Sequence, residues 1–206
     1  TDILVIRRAS TSRFCPAGKT CAAGVPAGAA AADQYYLQAT PFEYKLDLGT
    51  AGNVTSVFTL TQPAANNTAV RYAALRQYVV RIYFVSKCNV PASGTTCNGV
   101  TDDGGTSIPT LKMLELGAGP AWQKLAVAEG IEQLQLDFGV DDPVFCGGAA
   151  AAADGVADCI VMCDATTPCS TKEWSNVVSV NVSLVARNTE IIRANLDRSP
   201  LYTGVI

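Results

Sequence analysis

The sequence predicts a β-rich fold, an antiparallel sheet or two packed sheets carrying long disulfide-stapled loops. Three observations point there. The first is period-two alternation near the carboxy terminus. From Gln133, apolar Leu134, Leu136 and Phe138 alternate with Gln133, Gln135 and Asp137. In the run 174–187, Val178, Val180, Val182, Leu184 and Ala186 fall on one face, and Ser179, Asn181 and Ser183 on the other. One apolar face at period two marks a half-buried antiparallel strand. The second is the scarcity of amphipathic helical patterning. The third is eight Cys distributed among Gly- and Pro-rich segments.

In chain order, residues 2–8 (Asp-Ile-Leu-Val-Ile-Arg-Arg) read as a buried strand, because the run is almost wholly apolar before its arginines. Residues 11–33 hold Gly24, Pro26 and Gly28 and read as irregular chain. Short strands follow over 34–48 and 54–61, split by Gly49 and Gly52; 62–70, with Pro63, Asn66 and Asn67, is turn-like. Residues 75–86 form the longest central strand. A Gly-rich loop occupies 89–107. Strands return over 110–116 and 124–138 with a break from Gly117 to Pro120, which leaves Trp122 in a loop. Residues 143–172 are a long loop, 174–187 the last clear strand, and the tail with Asp197 and Tyr202 has no period. Loops longer than about 12–15 residues are unusual in compact domains and are often functional. Three occur here, each carrying Cys. A chain of 206 residues reads as a single domain, 1–206.

Composition excludes several function classes. The net charge of −3 and the lack of a basic run leave nothing to neutralise a row of phosphates, so nucleic acid is not expected as a partner. His is absent. Ser-His-Asp and Cys-His nucleophile systems and Cys2His2 zinc sites are therefore excluded within the chain. No stretch of about 18 consecutive apolar residues exists to span a bilayer.

The Cys spacing favours disulfides over a metal cluster, since no C-x2-C pair occurs. Cys15 and Cys21 flank one turn-rich loop and Cys88 and Cys97 another, so local pairing joins each couple. Cys146, Cys159, Cys163 and Cys169 crowd into one loop and make two further bridges, in a pairing that proximity leaves open. Bridges imply an oxidising compartment: periplasm, cell surface or exterior.

Four aspartates are the candidate metal ligands. Asp141 and Asp142 follow a strand, and Asp154-Gly-Val-Ala-Asp158 lies further along the same loop. Ca2+ takes about six to eight oxygens from carboxylates and carbonyls. The pattern departs from a calcium-binding EF-hand loop, which alternates Asp and closes on Glu, and no cofactor is otherwise expected. The competing reading is a solvated Asp-Gly turn, and Asp102-Asp103-Gly104-Gly105 is read the same way. Glu115, Glu129 and Glu132 could serve a glycosidase only in a shared cleft; exposed strand faces are the simpler reading. Asn53, Asn66 and Asn181 fit the glycosylation acceptor pattern, Asn181 from inside a strand, which weakens the match. Trp122 and Trp174 read as core plugs. Arg7, Arg8, Arg81 and Arg187 read as cross-strand partners of carboxylates.

Glu129-Gly-Ile-Glu-Gln-Leu-Gln-Leu-Asp-Phe-Gly-Val-Asp141 and the 174–187 strand resemble the carboxy-terminal half of the PilW family of minor type IV pilins. Residues 2–8, 78–86 and 108–117 are similar to earlier strands of that family in the same order; 12–70 and 143–172 are not. The resemblance implies an α+β, β-rich, pilin-like domain behind an amino-terminal hydrophobic helix, through which alone it would meet a membrane. It implies a structural role without enzymatic activity. A minor pilin of this kind primes assembly of the type IV pilus or sits at its tip, on the cell surface. Its partners would be other minor pilins and the major pilin, with Tyr83 and Trp122 as exposed aromatics at the interfaces. A type II secretion pseudopilin, or a secreted β-scaffold enzyme or lectin-like binder, are the alternatives.

Overall fold

Alternating apolar runs become strands in the computed structural model, which describes residues 2–63, 70–117, 119, 121–164, 168–189 and 203–205. In chain order these strands are β1 (Leu4–Ala9), β2 (Cys15–Pro16), β3 (Ala27–Gly28), β4 (Tyr35–Ala39), β5 (Tyr44–Leu48), β6 (Thr61–Pro63), β7 (Val70–Tyr72), β8 (Leu75–Ser86), β9 (Thr110–Leu116), β10 (Trp122–Glu129), β11 (Ile131–Val140), β12 (Cys159–Val161), β13 (Val177–Ala186) and β14 (Thr203–Val205). Two short helices, α1 (Ala51–Ser56) and α2 (Thr171–Ser175), interrupt them. The expected β-rich α+β class holds. The turn assigned to Asn66 and Asn67, and the tail with Asp197 and Tyr202, lie outside the described residues.

The chain packs as two compact units interleaved in sequence. The first unit takes Val5–Tyr83 and Met113–Leu125; the second takes Thr1–Leu4, Phe84–Lys112 and Ala126–Ile206. The six-stranded sheet has the order β10-β9-β8-β4-β5, with β1 also paired to β8. In the first unit, β4 and β5 make a hairpin with Leu37 opposite Leu46, and β4 pairs on its other side with the start of β8. Tyr36, Phe58 and Leu75 form its buried centre, with Phe14, Ala30 and Val54 packed against them. The Phe14 ring meets Tyr36 edge-on at 5.5 Å between centroids. Gly49 is required here. A side chain would collide with the Ala31 carbonyl and the Tyr36 ring.

Gln38 is wholly buried in this unit. Its amide nitrogen donates to the Leu60 and Ala73 carbonyls, and its amide oxygen accepts the Leu60 N–H at 2.9 Å. A buried amide with every group paired ties the sheet to two neighbouring segments.

Two sequence expectations fail in the first unit. The run 54–61 is not a strand. Thr50 caps a helix, its hydroxyl accepting the Asn53 N–H at 3.1 Å, and α1 turns before Phe58 enters the core. A local cap outweighed the alternating pattern of Val54, Phe58 and Leu60. Residues 2–8 are not a buried strand either. β1 lies on the side of β8, and Val5 and Ile6 stay 45% and 38% exposed. A continuous apolar run reads the same at a sheet centre and at an edge.

The second unit holds an antiparallel sheet of order β12-β11-β13-β14. Leu134 faces Leu184, Leu136 faces Val182 and Phe138 faces Val180, so the two predicted apolar faces are one surface. Leu134 and Leu136 are buried beneath it. The expected strand 124–138 is two strands, because Gly130 adopts φ +79° between β10 and β11. A side chain at that φ would be strained. The loop 143–172 contains β12, paired to the end of β11, and ends in α2. Trp122 opens β10 rather than sitting in a loop.

All eight Cys are bridged: Cys15–Cys21, Cys88–Cys97, Cys146–Cys159 and Cys163–Cys169. The first two are the pairs proximity selects. The third ties the start of the long loop to β12.

Candidate functional site

The second unit brings the four candidate aspartates together. β11 runs into Asp141 and Asp142, both buried, while the 146–159 bridge returns the loop so that Asp154 and Asp158 come near them. Asp141 accepts the Gly155 N–H at 2.7 Å, and Asp154 accepts the Val156 N–H at 2.9 Å. Asp142 is held from three sides: by the Phe145 N–H, the Asn176 amide, and the Lys172 ammonium at 2.7 Å.

α2 places that ammonium. Ser170 and Glu173 form a reciprocal capping box, with the Glu173 carboxylate accepting the Ser170 N–H at 2.7 Å. This fixes the helical turn in which Lys172 points at Asp142 and Trp174 meets Phe138, ring centroids 4.7 Å apart and nearly perpendicular. The Lys172 hydrogen bond, then that of the Phe145 N–H, holds the Asp142 carboxyl below its ordinary range, and Lys172 is raised in turn. Asp158 moves the other way. Desolvation, and then the fields of Asp141, Asp154 and Asp142, push its carboxyl up.

These residues do not fit a calcium shell as they stand. Asp142 is spent on Lys172, Asn176 and Phe145, and one Asp141 oxygen is spent on Gly155. A cation would have to displace the ammonium already in place.

Beside the aspartates lies an apolar face. Val178 and Val180 on β13 are exposed, although the same strand face is half-buried further along at Leu184, and Trp174 is 46% exposed above Phe138. Trp174 is thus no core plug, and neither is Trp122, 47% exposed on β10. Tyr83, expected to be exposed, is only half-exposed on β8.

The remaining candidates are structural. Asp102 is completely buried, not a solvated turn. Its carboxylate accepts the N–H groups of Ala92, Asn98 and Gly99, and Asp103 accepts those of Asn89, Val90 and Ile108. Backbone donors, Ala92 first, hold Asp102 below the ordinary range. Together the two carboxylates organise the loop 89–107. Asp103 adopts φ 54°, a conformation Asp tolerates better than most residues.

Arg81 on β8 clasps Glu115 on β9 at 2.9 Å, and Arg187 pairs with Glu132 on β11 at 3.5 Å, so the cross-strand expectation holds for these two. Glu129 accepts from the Asn89 amide. Each carboxylate of the glycosidase reading therefore has its own neighbour. Arg7 and Arg8 make no ion pair among the described residues. Asn53 donates to the Leu48 carbonyl, and Asn181 lies within β13 opposite Asp137. Asn66 lies outside the described residues.

Sequence reasoning passed over Lys172 and Gln38. The Ser170-x-x-Glu173 spacing was the available signal for α2 and hence for Lys172. Nothing local marks Gln38.

A disulfide-stapled, mostly antiparallel β-rich chain with apolar side chains left at its surface suits an oxidising compartment and contact with other proteins. The family profile described as type IV pilus assembly protein W matches residues 98–204, just over half of the chain. The chain belongs to the PilW family of type IV pilus assembly proteins. The match takes in β11, β13 and the face carrying Trp174. No curated protein and no solved structure matches the chain. Membership gives it a role in type IV pilus assembly, in the cell envelope, with protein partners in the pilus machinery. Among the described residues, no helix is long and apolar enough to cross a membrane.

Proposed function

We propose that this chain is a minor pilin that acts by binding other pilins, priming pilus assembly or standing at the pilus tip, and not by turnover. The observation that carries this is the exposed apolar face of Trp174, Val178 and Val180, with Phe138 half-buried beneath Trp174, inside the segment matched by the family. Such a face suits docking, since a few central aromatic and aliphatic residues supply most interface energy. The partners are other minor pilins and the major pilin.

Deletion of the gene should abolish or reduce surface pili and twitching. Val180→Asp, at a position already exposed, should reproduce that defect in a chain that melts like wild type, and Trp174→Ala, which also gives up the Phe138 contact, should reproduce it too; Glu43→Gln should leave piliation intact. Normal piliation in the deletion strain with a secretion defect would make the chain a pseudopilin. Normal piliation and normal secretion would leave a secreted binder or enzyme as the better account.

The same reading takes the domain to work without bound metal, since Lys172 already neutralises Asp142. Melts with and without Ca2+ should agree. A rise in Tm that disappears in Asp154→Ala would instead assign the acidic loop to Ca2+.

A further inference from the structure

The chain carries opposite charge in its two units. Among the described residues the first unit holds nine Lys and Arg against four Asp and Glu, a net of +5. The second holds four against twelve, a net of −8. The overall charge of −3 conceals this segregation.

Each unit also presents an open strand edge bearing its own sign. Among the described residues β1 pairs with β8, the chain before it being tied to β11 through Asp2, and Val5, Ile6, Arg7 and Arg8 are all exposed along it, apolar groups next to cations that make no ion pair among the described residues. β12 ends its sheet and, among the described residues, pairs only with β11. Ile160 and Met162 stand exposed there, and Asp154 and Asp158 beside them make no ion pair among the described residues. An unpaired edge is a template for another strand. Charges on an edge repel like edges and select an opposite one. Here each edge has what the other lacks.

We propose that this chain self-associates head to tail, the β1 edge of one copy docking on the acidic β12 edge of a second. Val5 and Ile6 would then meet Ile160 and Met162, while Arg7 and Arg8 meet Asp154 and Asp158. Desolvation first, and then the fields of Asp141, Asp154 and Asp142, push the Asp158 carboxyl up, and an incoming guanidinium would offset the repulsive part. The two edges differ, so the contact is heterologous, and a pair joined by one such contact leaves one edge of each kind free to take a further copy. This inference stands apart from the pilus role. Piliation of the deletion strain decides that role, and sedimentation of the purified chain decides this one.

The test is sedimentation velocity over a concentration series at about 10 mM and about 500 mM salt, where screening lengths are roughly 30 Å and a few Å. Wild type should associate at low salt, beyond a dimer at the highest concentrations, and dissociate at high salt. Arg7→Glu with Arg8→Glu should weaken association by about tenfold or more, as should Asp154→Lys with Asp158→Lys. Mixing the two variants should restore it, since each supplies the edge the other can take. The milder pair Arg7→Gln with Arg8→Gln should fall between. A wild-type chain that stays monomeric at low salt overturns the proposal. So does association that survives either charge reversal in a folded variant, or a mixture that fails to recover.

Discussion

Removing the Cys146–Cys159 bridge should loosen the acidic loop by an amount the sequence separation sets. The two sulfurs close a loop across 13 residues, joining the end of β11 to the start of β12. Loop-closure entropy for that length corresponds to about 3 kcal/mol at room temperature in the chain-entropy model. The double variant Cys146→Ala, Cys159→Ala should therefore unfold about 3 kcal/mol more easily in urea. In a chain of this size that is a fall in Tm of roughly 6–12 °C. The damage should also be local. β12 pairs with β11 through only three residue pairs, Phe138–Val161, Gly139–Ile160 and Val140–Cys159. Without the bridge these pairs, with the Asp158 N–H bond to Val140 and the Gly155 N–H bond to Asp141, must hold the loop. Hydrogen exchange should show lost protection at β12 and at the Asp158 N–H, which donates to the Val140 carbonyl at 2.9 Å. Protection in the β4–β5 hairpin of the first unit should be unchanged. A stability loss below about 1 kcal/mol, or unchanged exchange at β12, would refute the view that the covalent tie, not the strand pairing, fixes this loop.

Gln38→Leu conserves volume but orphans the Leu60 N–H and the Ala73 carbonyl, both buried; it should cost about 2–4 kcal/mol in urea denaturation. Acid stability follows Asp102 and Asp142, whose folded-state carboxyls lie below their unfolded values; they stabilise above about pH 4 and lose that contribution as pH falls through the folded values. Asp158, raised in the fold, has the opposite sign and gains as pH falls. Asp102→Asn keeps only one acceptor for three N–H groups, so Tm at neutral pH should drop and its decline below about pH 5 should be shallower than in wild type. An unchanged acid limb in circular-dichroism melts would remove Asp102 as its source.

Much of the sheet was legible because alternation is a local property. Leu134, Leu136 and Phe138 against Val180, Val182 and Leu184 announce one apolar surface, and the register joins them in that way. The bridges 15–21 and 88–97 were legible because short separations favour local pairing. The rest required distant partners. Asp102-Asp103-Gly104 reads as a turn and is one, but only the folded loop converges the amides of Ala92, Asn98 and Gly99 on a single carboxylate. Asp142 and Lys172 lie 30 residues apart, and no spacing rule links them. For β1, the pattern established that a strand would form but not which of its sides would stay bare. At the candidate face, the sequence marked Val178 and Val180 as apolar; that they lack a cover is a property of the fold.

The loop 89–107 carries its own internal frame, two carboxylates receiving six amides and a bridge at its base. Its conformation is therefore set apart from side chains along its rim such as Ser93, Thr96 and Val100, which face solvent. Such a loop can exchange rim residues without renegotiating its backbone. It offers a substitutable rim on a self-supported chassis, open to peptide grafting in the laboratory.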